Sequence, residues 1–214
     1  RINMYIEIFF KIAFLAVFFS FAYVMTAYTT KAKARKEDKA TRVKMHNENE
    51  VPLLLKLRAI FGIPFYLGVL VWTFAPKFMA WSSIPFPVWV RWAGLGLGLF
   101  AIILNAWSHK TLSQKLGADF DPAMRLLKVP ALVEEGPYAW MRHPIYLAFL
   151  MMQISVLLLT SNWLIGFCGI AIIISVFIIR VPEEEKMLTE QFEDRYLEYM
   201  KHTGKLLPKL GGHQ

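Results

Sequence analysis

The chain has a single cysteine, Cys168, and this residue lies within a long apolar run. One cysteine excludes an internal disulfide or a redox pair, and the apolar surroundings disfavour a catalytic thiolate. The five histidines have neither metal-ligand spacing nor accompanying cysteines, so the sequence predicts no metal site. These histidines are His46, His109, His143, His202 and His213.

The chain also lacks a convincing glycine-rich phosphate loop. The nearest match is Gly94-Leu95-Gly96-Leu97-Gly98, which lies inside an apolar run and follows no predicted strand. Gly94 and Gly98 instead have the four-residue spacing at which helices pack closely in lipid. We predict a helix-packing surface here, so any nucleotide-like cofactor must bind the helical membrane domain itself.

Apolar sequence is what the chain has in abundance. Hydrophobic residues make up 56% of the chain, and its mean hydropathy is +0.41. Five blocks predict membrane-inserted helices, namely residues 4–28, 57–76, 88–107, 145–160 and 163–179. We therefore predict an all-α, integral membrane helical bundle with about five transmembrane helices and an amphipathic C-terminal helix in the cytoplasm.

The first block, 4–28, carries only Glu7 and Lys11 as charged residues. A cleaved signal peptide is the alternative to a membrane anchor. The block is long, has no convincing small-residue cleavage site, and is followed at once by basic sequence, which favours an uncleaved anchor. We expect residues 1–214 to be one membrane domain. Its first part, 1–108, would hold three helices and a basic loop, and its second part, 109–214, the cofactor-binding and catalytic half.

Positive charge is concentrated beside the apolar blocks. The chain has 24 Lys and Arg against 16 Asp and Glu, and basic residues collect in 31–44, between Lys110 and Arg142, and after Arg180. Such loops normally stay in the cytoplasm, which predicts an outer N-terminus and an inner C-terminus. Nucleic-acid binding would also fit a pI near 9.6, but charge confined to juxtamembrane loops favours topology over a nucleic-acid partner.

The last two apolar blocks are joined by only Ser161 and Asn162. This short connection predicts a tight helical hairpin, 145–179, whose far ends return to the same surface. Residues 142–146 and 180–185, both rich in ionisable groups, are therefore expected to face each other. The block 145–160 would rise about 24 Å, less than a bilayer core of about 30 Å, so the hairpin is expected to fall short of a full crossing.

Two prolines mark predicted helix starts. Pro144 would leave the amides near Ile145 and Tyr146 free to bind a carboxylate, and Pro182 would open a new helix with three glutamates in its first turn. That helix carries an apolar stripe of Leu188, Phe192, Tyr196 and Tyr199. We expect this stripe to dock on the bundle as a lid over the site rather than to form a cofactor box.

Five short motifs follow one another across about residues 110–209. They are Ala131-Leu132-Val133, Gly136-Pro137-Tyr138, Arg142-His143-Pro144-x-Tyr146, Arg180-x-x-x-Glu184-Glu185 and Phe192-x-x-x-Tyr196-Leu197-Glu198-Tyr199. In this order and spacing they resemble the isoprenylcysteine carboxyl methyltransferase family. The set is far more specific than any one motif, and the N-terminal half matches only as generic membrane spans.

The resemblance implies an integral membrane methyltransferase that uses S-adenosylmethionine. Its substrate would be the terminal carboxylate of a prenylated cysteine or a related lipophilic acceptor, which would enter from the membrane lipids, while the cofactor would enter from the cytosol. Arg180 corresponds to the residue that handles the acceptor carboxylate. The cofactor-binding positions implied are Leu132, Val133, Tyr138, His143, Pro144, Tyr146 and Glu184.

The chain departs from the family at Pro130, where histidine is common. The loop 109–130 is expected to add further cofactor contacts.

Other interpretations of these residues remain open. A sterol-type membrane reductase would use NADPH and would need phosphate-binding basic residues near the pocket. A transporter or scaffold would place ionisable residues along a midplane path rather than at one end. A phospholipid amine or a lipophilic thiol could replace the prenylcysteine, because an apolar acceptor cavity is generic. Taken singly, Arg180 could be a snorkelling residue, and Tyr138 and Tyr146 belt aromatics.

Overall fold

A computed structural model describes residues 2–34, 50–116 and 131–209, which form helices and turns with no strand among them. The helices are α1 (Ile2–Ala34), α2 (Glu50–Phe74), α3 (Val88–Leu116), α4 (Pro144–Thr160) and α5 (Trp163–His202). Short 3-10 helices lie at Pro76–Ser82 and Gly136–Ala139. The prediction of an all-α bundle of membrane helices is confirmed. Residues 35–44 of the basic run, Pro130 and most of the loop 109–130 lie outside the described residues.

Four of these helices, α1, α2, α3 and α5, are long and apolar enough to cross a membrane, so the chain is a multi-pass membrane protein. The remaining helix, α4, is apolar but has only 17 residues. At helical rise it covers about 25 Å, less than the bilayer core of about 30 Å. Among the described residues, the five predicted blocks thus correspond to four candidate spans and one shorter apolar helix.

Helix α3 packs on α1 and α4, and α5 packs on α2 and α4. Their shared core contains buried apolar side chains from all five helices, including Phe14, Phe65, Leu104, Val156 and Ile165. Many large apolar side chains on the outer surface are exposed, as expected for helices that face lipid. The polar residues at the ends of this bundle are therefore held in place by a tightly packed apolar scaffold.

Gly94 and Gly98 form the contact surface of α3 with α4. A β-carbon built on Gly94 would lie 2.6 Å from Cβ of Leu158, and one on Gly98 would lie 2.5 Å from Oγ of Ser155. Ser155 Oγ also donates a hydrogen bond of 2.7 Å to the carbonyl of Gly94. The predicted role of this motif in close helix packing is confirmed.

The hairpin between α4 and α5 has the two-residue connection that the sequence predicts. Ser161 takes the left-handed conformation, with φ 49°, and Asn162 caps α5 by accepting a hydrogen bond from the amide of Ile165 at 3.2 Å. The Asn162 side chain is fully buried and donates to Ser82 Oγ at 2.7 Å. The turn is therefore fixed to the 3-10 helix after α2, and it brings the other ends of α4 and α5 together.

Pro182 does not begin a new helix, and this prediction is wrong. Helix α5 continues through Pro182 as far as a kink at Glu193, whose φ of 48° and ψ of −127° are not helical, and a last helical stretch then runs to His202. Val181 and Glu185 on either side are buried, so their tertiary contacts hold the helix together where the proline removes one amide donor. Glu183, Glu184 and Glu185 lie mid-helix, and capping of a helix start does not explain them.

The apolar stripe of the last part of α5 docks on the bundle, as predicted. Tyr196 is 1% exposed and Tyr199 is 8% exposed, while Leu188 and Phe192 are half-buried. Tyr199 donates a hydrogen bond of 2.6 Å to the carbonyl of Tyr138. The end of α5 therefore covers the segment that follows α3.

We predict that Gly98→Val destabilises the protein, because the added side chain would overlap Ser155 of α4 and Val17 of α1. Overpacking of this kind lowers the free energy of unfolding by about 1–3 kcal/mol. The matched control is Gly96→Val on the same helix, since a β-carbon there would meet nothing within 4 Å. Thermal unfolding in detergent measures both variants. Equal losses of stability would contradict the packing role of Gly98.

Candidate functional site

Glu185 is the anionic centre of the cluster where α4, α5 and the C-terminal segment meet. Its Oε1 lies 2.9 Å from Nε of Arg142 and 3.4 Å from Nε2 of His143, and its Oε2 lies 2.8 Å from Nζ of Lys205. Glu185 is 9% exposed. Because three donors converge on one buried acid, Glu185 fixes the start of α4 against α5.

Glu185 lies beyond the apolar part of α5, which ends at Ile179. Burial raises the pKa of its carboxyl group, but the hydrogen bonds from His143, Lys205 and Arg142 outweigh burial and lower the pKa to about 2. Glu185 is therefore ionised at neutral pH, and it acts as a fixed acceptor rather than as a proton donor.

The C-terminal segment after α5 runs beside the residues that precede α4. The amide of Arg142 donates to the carbonyl of Gly204 at 2.9 Å, and the amide of His143 donates to the carbonyl of Lys205 at 3.1 Å. In return, the amide of Gly204 donates to the carbonyl of Trp140 at 3.2 Å. Nη1 of Arg142 also donates to the carbonyl of Thr203 at 2.6 Å. Residues 203–205 thus form a strap across the loop that carries His143 and hold this loop in one conformation.

A second polar cluster lies next to that of Glu185 and contains Tyr146, Arg180 and Glu184. Tyr146 donates a hydrogen bond of 3.1 Å to Oε2 of Glu184 and also interacts with Arg180. Arg180 is 4% exposed, and its Nε and Nη1 have no hydrogen-bond partner among the residues that the structure describes. A buried guanidinium with two unused donors, beside an anchored carboxylate, suits a ligand that carries an anionic group.

The segment 131–139 holds three of the predicted site residues beside α3. Val133 and Tyr138 are buried and Leu132 is half-buried. Ion pairs of Glu135 with Lys115 at 2.7 Å and of Glu134 with Arg195 at 2.9 Å attach the segment to α3 and α5.

This segment turns at Gly136, whose φ of +58° favours glycine. A β-carbon there would also lie 2.8 Å from Oγ1 of Thr111, so α3 leaves no room for a side chain. The turn therefore lies directly against the end of α3.

The predicted site residues thus fall into two sets. His143, Tyr146, Arg180 and Glu184 lie at the meeting point of α4 and α5, and Pro144 is the buried first residue of α4. Leu132, Val133 and Tyr138 lie in the neighbouring segment, where Tyr199 connects Tyr138 to α5. The expectation that residues 142–146 face 180–185 is confirmed.

Sequence reasoning missed three residues at this end of the bundle. Glu185 belongs to a motif that assigns it no role, and Lys205 lies in none of the five motifs. Arg58 on α2 is half-buried and interacts electrostatically with Arg180 and Tyr146. An arginine inside an apolar block is costly to place in lipid, and this signal in the sequence pointed to Arg58.

We predict that Glu185→Gln loosens the strap, because a neutral amide cannot satisfy Arg142, His143 and Lys205 together. Loss of a buried, charged acceptor costs about 1–3 kcal/mol. Hydrogen exchange of the amides of Arg142 and His143 should become faster by roughly tenfold to a hundredfold. The control is Glu190→Gln, an exposed position on the same helix. Unchanged exchange in Glu185→Gln would contradict the role of Glu185 as the centre.

The same contacts predict a pH dependence. The pKa of Glu185 falls from 4.5 to about 2 on folding, so its stabilisation is fully present above pH 4.5 and is lost as the pH falls through about 2. Exchange of the Arg142 and His143 amides, corrected for intrinsic rates, should therefore show unchanged protection between pH 7 and pH 5. Protection that falls between pH 6 and pH 5 would show that another group controls the strap.

The comparisons with known proteins agree with the sequence motifs. Residues 94–190 match the model of the isoprenylcysteine carboxyl methyltransferase (ICMT) family. The chain is 32% identical over 114 residues to the protein-S-isoprenylcysteine O-methyltransferase of Saccharomyces cerevisiae, a region that covers 52% of this chain and 48% of that relative.

Two further relatives have similar identities. The human protein-S-isoprenylcysteine O-methyltransferase is 30% identical over 120 residues, which cover 54% of this chain and 41% of the relative. The protein-S-isoprenylcysteine O-methyltransferase B of Arabidopsis thaliana is 30% identical over 111 residues, which cover 51% of this chain and 56% of the relative.

The chain spans about half the length of these curated relatives. The family match begins at Gly94 in α3 and ends at Glu190 in α5, so it contains both sets of site residues. The resemblance drawn from the motifs is thereby confirmed, and residues 94–190 of this chain are similar to the isoprenylcysteine carboxyl methyltransferase family.

Proposed function

We propose that the protein is an S-adenosylmethionine-dependent methyltransferase that methylates the carboxylate of a prenylated cysteine or a similar lipophilic acceptor. The matched relatives are named protein-S-isoprenylcysteine O-methyltransferases. The observation that carries the proposal is the buried guanidinium of Arg180, which keeps two unused donors at the end of an apolar bundle. An acceptor with an apolar tail and an anionic end group has the chemistry that such a site requires.

Arg180 is the residue that holds the acceptor carboxylate. A guanidinium can bind a carboxylate through two parallel hydrogen bonds, which fix the direction of the reacting oxygen. Methyl transfer to an ionised carboxylate needs alignment and exclusion of water more than it needs a base. Burial of Arg180 supports both requirements.

Glu184 and its neighbours would hold the cofactor. A half-buried carboxylate accepts hydrogen bonds from hydroxyl or ammonium groups, and Tyr146 already fixes its orientation through the 3.1 Å hydrogen bond. The strap around Glu185 orients His143 beside Tyr146, with ring centroids 5.7 Å apart. Leu132, Val133, Tyr138 and Pro144 would supply apolar walls. The donors and acceptors present therefore fit the polar groups of S-adenosylmethionine.

When bound, S-adenosylmethionine supplies a methyl group on a sulfonium, and transfer to a carboxylate oxygen forms a C–O bond, breaks the C–S bond and moves no proton. The protein side chains need only position the two reactants and exclude water from them. Arg180 aligns the carboxylate, Glu184 accepts hydrogen bonds, and Tyr199 holds the end of α5 over the segment 131–139. This end of α5 limits the access of water to the site.

The site is proposed to face the cytoplasm. Described basic residues that include Lys115, Arg142, Arg195, Lys201 and Lys205 collect at the same end of the bundle as Arg180 and Glu184. An excess of basic residues beside membrane helices normally stays on the cytoplasmic side. The cofactor would then arrive from the cytosol, and the acceptor would arrive laterally from lipid.

The experiment that tests the function uses the full chain, purified in detergent. Titration with S-adenosylmethionine, with NADPH as the comparator, should give saturable binding of S-adenosylmethionine alone. Radiolabelled methyl transfer to N-acetyl-S-farnesylcysteine should follow. Binding without transfer would reject this acceptor, and binding of NADPH alone would favour a reductase.

We predict different losses for two site variants. Glu184→Ala should weaken binding of S-adenosylmethionine by roughly tenfold or more, because a charged hydrogen-bond acceptor is removed. Arg180→Ala should lose turnover while cofactor binding stays within about threefold. The control is Glu190→Ala on an exposed position of the same helix. Equal losses of binding and turnover in both variants would contradict this division of roles.

A further inference from the structure

The exposed tryptophans of this protein lie at its two ends. Of the seven tryptophans in the chain, Trp72 is buried in the core, and the other six are 41–71% exposed. Four of the six lie near the turn between α4 and α5 and form the turn-side girdle, namely Trp81, Trp89, Trp92 and Trp163. Two lie at the opposite end of the bundle, beside the proposed site, and form the site-side girdle, namely Trp107 and Trp140.

Contacts place the turn-side girdle at one level. Trp81 and Trp163 meet edge to face, with ring centroids 5.5 Å apart. The other two tryptophans flank Arg91, which donates a hydrogen bond of 3.1 Å to the carbonyl of Leu159 near the end of α4. The four indoles therefore surround the same end of the bundle.

The site-side girdle lies against the segment 131–139. Its two rings meet edge to face, with centroids 5.6 Å apart. A β-carbon on Gly136 would lie 3.1 Å from Nε1 of Trp107, and the carbonyl of Trp140 accepts a hydrogen bond of 3.2 Å from the amide of Gly204. This pair is therefore fixed to both the segment and the strap.

This distribution, with none of the seven tryptophans exposed between the two girdles, is typical of a protein that meets two membrane boundaries. The indole has a large apolar ring and a single N–H donor, so it is most stable where lipid tails and headgroups meet. Exposed apolar side chains of α3 between the girdles, such as Phe100 and Ile103, suit the lipid tails. A surface for a protein partner would instead gather the aromatic residues in one patch.

The spacing of the girdles follows from their positions on α3. Trp89 and Trp92 lie 18 and 15 residues before Trp107, which corresponds to about 27 Å and 22 Å of helical rise. Any tilt of the helix shortens the distance across the membrane. The two boundaries are therefore about 25 Å apart or closer.

The apolar stretches of the helices give the same thickness. Each stretch lacks Asp, Glu, Lys and Arg and has 16 to 19 residues, or about 24–29 Å of helical rise. The stretches are 12–30, 59–74, 92–109, 144–160 and 163–179. A bilayer core of about 30 Å takes about 20 residues. Helix α4, which is too short for such a core, has the length that the girdles require.

We propose that the two girdles dock the protein in a bilayer whose hydrocarbon core is about 25 Å thick where it meets the protein, thinner than a typical core of about 30 Å. In a thicker bilayer, the lipids would have to thin locally or the girdles would enter the tails, and both cost free energy for each ångström of mismatch. At the fitting thickness, the site-side girdle holds the segment 131–139 at the level of the headgroups. The inference does not rest on the proposed function, because it involves no reaction.

The first test varies only the thickness of the bilayer. The full chain is reconstituted in vesicles of monounsaturated phosphatidylcholines that differ in chain length, and X-ray scattering measures the core of each. The midpoint of thermal unfolding should be highest where the core is nearest to about 25 Å and should fall by several degrees where the core is about 35 Å. A maximum at about 30 Å or above overturns the proposal, and so does a midpoint that is independent of thickness.

A pair of variants on α3 tests the girdle itself. Trp89→Leu keeps an apolar side chain but loses the indole, so the midpoint of thermal unfolding should become less sensitive to thickness than in the wild type. The control is Phe100→Leu, an exposed position between the girdles, which should leave this sensitivity unchanged. Sensitivity that is unchanged in Trp89→Leu overturns the proposal, and so does an equal loss of sensitivity in both variants.

Tryptophan fluorescence measures the depth of each girdle. Trp89→Phe and Trp140→Phe each remove one exposed indole, and the signal lost relative to the wild type belongs to that tryptophan. Lipids brominated near the headgroup should quench this signal at least about twofold more than lipids brominated near the bilayer centre. The signal lost in Trp72→Phe, from a buried ring, should respond to neither lipid. Stronger quenching by the central bromine at either girdle overturns the proposal.

Discussion

The arrangement of polar residues in this protein depends on the burial of charge at one end of an apolar hairpin. A carboxylate or a guanidinium removed from water is stable only with partners, and Glu185 obtains three of them from two separate parts of the chain. The same carboxylate therefore fixes the start of α4, the middle of α5 and the C-terminal segment. This charged centre therefore connects Arg142 and His143 directly to α5.

Arg180 presents the opposite case, a buried charge whose pairing within the described residues is incomplete. Most buried polar groups in native proteins are satisfied, so such an exception calls for an explanation. The contrast with Glu185 is informative, because the two residues lie five positions apart on one helix. The charge of Glu185 is paired within the protein and stabilises the structure, whereas Arg180 retains donors that suit a ligand.

The features that sequence predicts well here are those set by short-range chemistry. Apolar blocks identify the helices, a two-residue connection requires a hairpin, and Gly94 and Gly98 indicate close packing. The prediction at Pro182 is wrong because the rule for proline considers only the local sequence. The burial of Val181 and Glu185 on both sides of the proline keeps α5 helical there. The hairpin predicts that residues 142–146 face residues 180–185, but no pattern within either motif predicts that Arg142 pairs with Glu185, 43 residues away. The interaction of Arg58 with Arg180 and Tyr146 also depends on how α2 lies against α5.

The position of Arg180 along helix α5 sets the depth of the site in the membrane. Its 40 residues begin at the hairpin turn, and Arg180 lies 17 residues further along, a rise of about 26 Å. This rise is about 4 Å less than a hydrocarbon core of about 30 Å, so in a bilayer of that thickness an upright α5 whose turn lies at one boundary places the guanidinium just inside the other boundary, below the headgroups. An acceptor held by Arg180, as we propose, would therefore keep its whole chain in the bilayer. Such an acceptor would not have to be extracted from the membrane, which is the most costly step for a lipid-like molecule.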